Sequence, residues 1–275
     1  MDLQIISIYF FSDEILKAYS YSDDPQCKMT TAEIITSVLT AALFFSGNQR
    51  LAISFLKTHL YIPQVVSEGH FNRRLHGIPK EIWNAIFSCL SEYFKQHHDS
   101  KEYVVDSFPV SVCENVRIFR SKIYSGKQFH GYSSSKKKFF FGIRVHALVT
   151  TKGEPIEFVF APGSENDIKV FRNFDFNLPS DSTIYADRAY TDYNYEDFLR
   201  ENSIALIPHR RANAKRQHNP CTDYLRGIFR KRIETTFSQI TRLFPKSIHA
   251  VTKRGFELKV YLFILAYCLQ LFLKQ

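Results

Sequence analysis

The chain has 275 residues, of which 45% are hydrophobic and 23% charged, and these ordinary globular proportions exclude collagen-like, low-complexity and largely disordered architectures. It carries 36 Lys/Arg and 27 Asp/Glu, a net charge of +9. Residues 1–100 have 8 basic and 10 acidic side chains, whereas residues 101–275 have 28 and 17. An anionic partner, with nucleic acid as the first candidate, should therefore lie mainly against residues 101–275.

The cysteines and the N-terminus bear on the cellular compartment. The five cysteines form no Cys-x-x-Cys pair, so the sequence predicts neither a disulfide framework nor a zinc knuckle and favours a reducing, cytoplasmic compartment. The first residues have no basic leader and no small-residue cleavage site, so no secretory signal is predicted. The longest apolar stretch, residues 260–273, contains Gln270 and is only 14 residues long, which suits a core helix better than a membrane span.

Residues 30–96 show helical periodicity and predict a compact helical module within residues 1–100. One of its helices follows Ser67, a suitable N-cap residue, and carries Arg73 and Arg74. This helix is a candidate recognition helix of a helix-turn-helix-like unit that binds DNA ends. A purely structural role stays open, because the module as a whole is acidic.

After residue 99 the pattern changes to β-branched and aromatic runs bounded by Gly, Pro, Asn and Ser. These runs predict five strands, at residues 102–108, 139–151, 155–162, 182–187 and 203–208. The second and third are joined by Lys-Gly-Glu and should be antiparallel. Helical segments are predicted at residues 166–174, 191–202, 225–244 and 256–273.

This order of elements predicts an α/β fold, a ribonuclease H-like mixed five-stranded sheet flanked by helices over residues 101–275, preceded by the all-α N-terminal module. We expect the last predicted helix to pack on the sheet, with an interface between copies of the chain as the alternative. Residues 109–138, between the first and second strands, predict a long functional loop or a segment with short elements that the pattern does not place.

Three acidic residues fall where metal chemistry is possible. Asp106 interrupts an apolar strand, Asp187 ends another, and Glu234 lies beside the apolar stripe of a predicted helix. A carboxylate in a core strand is costly to desolvate unless it is paired with a cation. An all-oxygen site of this kind prefers Mg²⁺ or Mn²⁺, and two such ions can activate a water or a 3′-hydroxyl on a phosphodiester.

Taken singly, each acid has a simpler interpretation. A lone Asp at a strand end is commonly a turn or helix cap, and Glu234 with Arg230 four residues earlier can form an ordinary surface ion pair. The order of the three acids on a compatible α/β pattern favours a shared site.

Basic residues cluster ahead of Glu234. Eight Lys/Arg and one acid lie between His209 and Arg232. This density of like charge favours phosphate contact, with a solvated loop as the alternative. The candidate DNA-binding residues, including the Lys run before the second strand, are Arg73, Arg74, Lys136, Lys137, Lys138, Arg188, Arg210, Arg211, Lys215, Arg216, Arg230, Lys231 and Arg232.

Four segments of the chain resemble DDE transposases of bacterial insertion sequences, and the similarity is to the insertion-sequence 982 family. They are VVDSFPVSVC at 104–113, residues 131–168, YADRAY at 185–190 and RKRIETTFSQI at 230–240. The resemblance implies a ribonuclease H-like fold, DNA strand cleavage and strand transfer, and a metal-binding triad of Asp106, Asp187 and Glu234.

The resemblance also leaves points open. A related group has a Tyr, Arg, Glu, Lys signature, of which this chain keeps Arg230 but has Gly227 and Thr241 at the Tyr and Lys positions. Arg230 therefore either grips a DNA-end phosphate or pairs with Glu234. Asp167 also falls at a family-like position, where we expect it at the rim of the site or capping the next helix.

The sequence thus predicts a transposase that uses two Mg²⁺ or Mn²⁺ ions, cleaves the inverted ends of its element and joins them to target DNA. We expect a homodimer or larger synaptic complex in the bacterial cytoplasm, associated with the nucleoid and not with a membrane. The alternatives are a catalytically inactive DNA-binding remnant and a metal-dependent nuclease that does not join strands.

Overall fold

The computed structural model describes residues 1–134 and 137–274. Lys136, one of the candidate DNA-binding residues, lies outside the described residues. The chain divides into two units. Unit 1 contains Met1–Leu90, Gln239–Ala250 and Arg254–Gln275, and unit 2 contains Ser91–Ser238 and Val251–Lys253.

Helices dominate the first part of the chain and strands the second. The elements are α1 (Asp2–Ala18), α2 (Thr31–Phe44), α3 (Gln49–Thr58), α4 (Glu68–Gly77), α5 (Lys80–Gln96), β1 (Glu102–Cys113), β2 (His130–Ser133), β3 (Lys138–Thr150), β4 (Pro155–Pro162), α6 (Asp167–Phe171), β5 (Ser182–Ala186), α7 (Tyr193–Glu201), β6 (Ile204–Pro208), α8 (Pro220–Arg242) and α9 (Lys253–Phe272). Short 3-10 turns occupy Asn115–Arg120, Lys127–Phe129 and Arg188–Tyr190. The predicted helices and strands are confirmed, with α1 and β2 in addition.

Local capping explains where the helices of unit 1 begin. Thr30 and Glu33 form a capping box at α2, in which the Thr30 hydroxyl accepts from the Glu33 N–H and the Glu33 carboxylate accepts from the Thr30 N–H. Ser67 caps α4 as predicted, accepting from the His70 N–H. The helix α1 was not predicted, because apolar residues lie all round it and Leu3 and Phe10 are exposed.

The last helix, α9, belongs to unit 1. The Tyr261 hydroxyl donates to the Trp83 carbonyl at 2.9 Å, and Phe272 packs on Phe11. The sequence predicted this helix against the sheet, but a helix that is apolar all round does not indicate which neighbour covers it. By length and composition α9 could cross a membrane, yet 61% of that apolar window is buried in the protein, as in a core helix.

Unit 2 contains a mixed sheet in which β3 has a central place. One edge of β3 pairs antiparallel with β1, and its other edge pairs with β2 at the start and β4 over the rest. β5 pairs in parallel with β1, and β6 in parallel with β5. The order along the sheet is therefore β2 and β4, then β3, β1, β5 and β6.

The sheet described here has six strands where the sequence predicted five. The sixth is β2, which lies in the segment predicted as a long loop. Its four residues include Gly131 and have no run of apolar side chains, so the pattern gave no strand signal. The hairpin between β3 and β4 is confirmed, and its turn places Gly153 at φ +90°, a conformation that glycine adopts without strain.

Helix α8 covers one face of this sheet. Phe237 packs on Phe108 of β1, and Phe229 packs on Tyr185 of β5, with ring centroids 4.7 and 4.9 Å apart. Because alternate residues of a strand share a face, Asp106 lies on the same face as Phe108. Asp106 therefore points toward the layer that carries α8.

The opposite face buries a histidine. His146 is fully buried on β3 and lies beside Ser107 of β1 in the register. Burial, with a smaller effect of the nearby Arg144, lowers the pKa of His146 to about 3. Its Nδ1 lies 3.4 Å from the Tyr190 hydroxyl, and its Nε2 has no hydrogen-bond partner among the described residues.

We expect His146 to make the protein less stable in mild acid. Below its ordinary pKa of about 6.5, the unfolded chain takes up a proton at this histidine, whereas the folded protein does not until about pH 3. Between pH 7 and pH 5 the wild type should lose about 2 kcal/mol more unfolding free energy than His146→Leu. Urea unfolding of both proteins at several pH values measures this difference, and parallel pH profiles would contradict the assignment.

Candidate active site

Asp106 and Asp187 are brought to neighbouring positions by the parallel pairing of two strands. The register aligns Val105 of β1 with Ala186 of β5, so that the next residue on each chain is an aspartate. Asp187 follows the last residue of β5, and its carboxylate accepts from the Arg188 N–H at 2.7 Å. The two acids lie at the carboxyl ends of the paired segments, where open α/β sheets commonly bind ligands.

Asp106 is the more deeply placed of the two. Burial raises the pKa of Asp106 to about 7, opposed by the hydrogen bond that its carboxylate accepts from the Ser107 N–H at 2.7 Å. Within this net shift, the charge of Asp187 also raises the pKa of Asp106, and that of Arg230 lowers it. The site therefore holds a carboxylate whose negative charge is costly until a cation compensates it.

Glu234 is linked to Asp187 by Arg230, which contacts both carboxylates. Nε of Arg230 lies 3.3 Å from a carboxylate oxygen of Glu234, and its Nη1 lies 3.5 Å from one of Asp187. Arg230 thus pairs with Glu234, one of the two possibilities left open by the sequence, and with Asp187 as well. Both side chains of the helix are exposed, so each contact is weak in isolation.

A small depression adjoins these side chains. It is lined by Asp106, Asp187, Arg226 and Arg230, with apolar walls from Val104, Val105, Tyr185, Ala186 and Ile233. Arg226 was not among the predicted site residues. The signal that could have found it is the spacing on α8, because residues 226, 230 and 234 are four apart and lie along one side of a helix.

The three acids are suitable ligands for a divalent metal, but their side chains are not arranged to bind one in this structure. Carboxylate oxygens are the ligands that Mg²⁺ and Mn²⁺ prefer. Among residues 1–134 and 137–274, however, no three His, Cys, Asp or Glu side chains are grouped so that they could hold an ion. Here the Arg230 guanidinium contacts both Asp187 and Glu234, and metal binding by all three acids requires it to release them.

A second polar cluster lies on the far face of the sheet. Asp167 is the first residue of α6, after the N-cap Asn166, and its carboxylate accepts from the Ser107 hydroxyl at 3.1 Å and pairs with Arg144. Burial raises the pKa of Asp167, which Arg144 partly offsets. The residue that caps this helix is Asn166, so Asp167 begins the helix without capping it. Tyr190, three residues after Asp187, is buried and packs on Phe171.

Several candidate DNA-binding residues have exposed side chains. No ion pair within the described chain involves them, apart from that of Arg230 with the acids. They are Arg73, Lys137, Lys138, Arg188, Arg211, Lys215, Arg230 and Lys231. Their contact with DNA stays a prediction.

Four other candidates are engaged within the protein. Arg210 is buried and pairs with the buried Glu196, so the expectation that it contacts phosphate is not met. Arg74 is 15% exposed and bonds Asp23 and the Met29 carbonyl, which gives it a structural role in unit 1. DNA binding by these two arginines was predicted from their charge alone, and the sequence does not show which acidic side chains lie close to them in the fold. The exposed Arg216 pairs with Asp197, and the Arg232 Nε donates to the Lys152 carbonyl.

Comparison with known proteins bears on these acids. Residues 97–249, more than half of the chain and including all three acids, match the protein family described as Transposase DDE domain. No curated protein shows significant sequence similarity to the chain.

Among solved structures, the chain is similar to a piggyBac transposase synaptic complex with hairpin DNA. The identity is 11% and the TM-score 0.48, over 97% of this chain and 64% of that one. The chain thus spans less than two thirds of the length of that transposase. From the extent of the sequence match, the chain belongs to the Transposase DDE domain family.

Proposed function

We propose that this transposase cleaves DNA at the ends of its element and transfers the strands into target DNA, with Asp106, Asp187 and Glu234 as the catalytic acids. The observation that carries the proposal is the register of β1 and β5, which brings Asp106 and Asp187 to adjacent positions beside α8. The family assignment supports a transposase, and the individual reactions are part of the proposal.

The fold is proposed to be ribonuclease H-like. The support is the strand order β4, β3, β1, β5 and β6, in which an antiparallel set of three continues into two parallel strands. The connections from β4 to β5 and from β5 to β6 contain α6 and α7, and α8 follows β6. Within the family, the segments quoted above lead us to place the chain with the insertion-sequence 982 group.

DDE transposase domains generally use divalent metal ions, and we propose two Mg²⁺ or Mn²⁺ ions held by Asp106, Asp187 and Glu234. Such ions supply activation of a water or 3′-hydroxyl and stabilisation of the leaving oxygen. Arg230 neutralises Asp187 and Glu234 in this structure. It becomes available to a DNA phosphate when those carboxylates take other partners, which reconciles its two possible roles.

The exposed cations are proposed to hold the DNA backbone. Arg188 directly follows Asp187, and Arg211 and Lys215 lie in the segment between β6 and α8. Helix α4, with the exposed Arg73, is proposed to contribute to end recognition. Because two element ends must be cut together, we propose that the protein acts as a homodimer or larger assembly at the bacterial nucleoid.

Replacing the acids one at a time should abolish cleavage without unfolding the protein. We expect Asp106→Asn, Asp187→Asn and Glu234→Gln each to lower Mg²⁺-dependent cleavage of end-containing DNA by more than about a hundredfold, since even residues that only orient metal ligands cost ten- to hundredfold. Because burial disfavours the charged form of Asp106, Asp106→Asn should melt no lower than the wild type.

The control for these variants is Glu201→Gln on α7, an exposed acid away from the depression, which should cleave as the wild type does. Full cleavage by any of the three variants removes that residue from the site. A wild-type protein that binds end DNA but neither binds Mn²⁺ nor cleaves is an inactive remnant. If the same assay yields cleaved DNA but no joined products, the protein is a nuclease that does not transfer strands.

Salt dependence tests the phosphate contacts. Each lost contact should reduce the slope of log affinity against log salt by about 0.9. We therefore expect Arg211→Gln and Lys215→Gln each to flatten the slope by about that amount, measured by fluorescence anisotropy on labelled duplex DNA. Arg200→Gln, which removes an exposed arginine of α7, should leave it unchanged. A wild-type slope in both of the first two variants would refute their assignment to DNA.

A further inference from the structure

The 3-10 turn Asn115–Arg120 presents two different stripes to solvent. Residues three apart are eclipsed in a 3-10 helix, so Val116 lies over Phe119, and Arg117 lies over Arg120. The Val116 and Phe119 side chains are 83% and 101% exposed, and both arginines are exposed. An apolar stripe with an aromatic ring thus runs beside a cationic stripe.

This turn is anchored to the sheet by a side-chain hydrogen bond. The Asn115 side chain donates to the Phe139 carbonyl at 3.0 Å, which fixes the turn to the start of β3. In the chain just after it, Tyr124 is buried and packs on Phe129 at 4.3 Å. The same short region therefore buries the Tyr124 ring and leaves Phe119 in water.

The charges around Phe119 suit an anionic partner. Arg117, Arg120 and Lys122 are all exposed, and within the described chain none of them has an ion pair. Glu114 is the one acid in residues 114–122. A protein surface that combines unpaired cations with an exposed aromatic ring suits a polyanion whose charged backbone carries flat rings.

The position of the turn relative to the acids agrees with DNA. The pairing of β1 with β5 ends at Val105, and beyond Asp106 the strand continues to Cys113 with β3 alongside. Seven residues of strand span about 23 Å at about 3.3 Å per residue. The turn that follows is therefore about seven base pairs from the candidate catalytic acids, at about 3.4 Å per base pair.

We infer that Phe119 is a base-stacking residue: its ring stacks on an unpaired DNA base about seven base pairs from the candidate catalytic acids, while Arg117 and Arg120 bind the adjacent phosphates. Apolar side chains that stack on or wedge between bases are favoured where a base is already unpaired, because the unstacking cost is then small. The inference rests on the proposed function only in taking DNA as the ligand.

The test is binding of the full-length protein to two duplexes of one sequence, fully paired or with one unpaired 2-aminopurine, in EDTA so that no strand is cut. The wild type should prefer the second duplex and quench its fluorescence. Phe119→Ala should lose about tenfold or more of the affinity for that duplex, keep its affinity for the paired one and lose the quenching. Phe119→Tyr should keep both properties.

Two further variants separate stacking from general effects. Phe198→Ala, which removes an exposed phenylalanine of α7 next to Asp197, should bind both duplexes as the wild type does. Arg117→Gln should weaken binding to both duplexes equally and flatten the salt dependence while the bound 2-aminopurine stays quenched.

Equal binding of the unpaired duplex by Phe119→Ala and the wild type overturns the inference. So does an equal loss on both duplexes, or a lower sedimenting mass of Phe119→Ala, which would assign the apolar stripe to contact between copies. Because nothing is cleaved in this assay, its result is independent of the triad. A protein that cleaves but lacks Phe119-dependent binding refutes this inference alone, and stacking without cleavage refutes the proposed function alone.

Discussion

The parallel pairing of β1 with β5 is the constraint on which the candidate site depends. A shift of one residue in this register would move one aspartate to the other face of the sheet, because side chains alternate along a strand. The pairing is held by buried side chains such as Val104 and Ile184, so the core sets the position of the acids. The same packing buries the Asp106 carboxyl, and this burial destabilises its charged form.

Charge compensation links α8 to this sheet edge. Phe229 and Phe237 pack α8 on the strands through apolar contacts, and the polar side of the same helix brings Arg230 to Asp187. Its guanidinium stands where like-charged carboxylates would otherwise repel each other. One helix therefore carries both the candidate acid Glu234 and the arginine that pairs with it, and its apolar stripe holds both in place.

The arginines of this chain divide into two groups that look alike in sequence. Arg210 and Arg74 are enclosed with Glu196 and Asp23 and contribute to the fold, because a buried charge is tolerated only with a partner. Arg211, next to Arg210, is exposed. The side chains of adjacent loop residues point in different directions. The packing of α7 against β6 decides which of the two arginines contacts an acidic side chain.

The sequence by itself determined the element types and the order of the predicted strands, since periodicity and turn residues are local properties, and it proposed the three acids from their positions in and beside apolar elements. It did not indicate β2 or α1, whose patterns are short or apolar on all sides. Tertiary structure alone decided that α9 joins unit 1, that Arg230 contacts both Asp187 and Glu234, and that Phe119 faces water. These features depend on which segments, far apart in the sequence, pack together in the fold. Local sequence patterns do not contain that information.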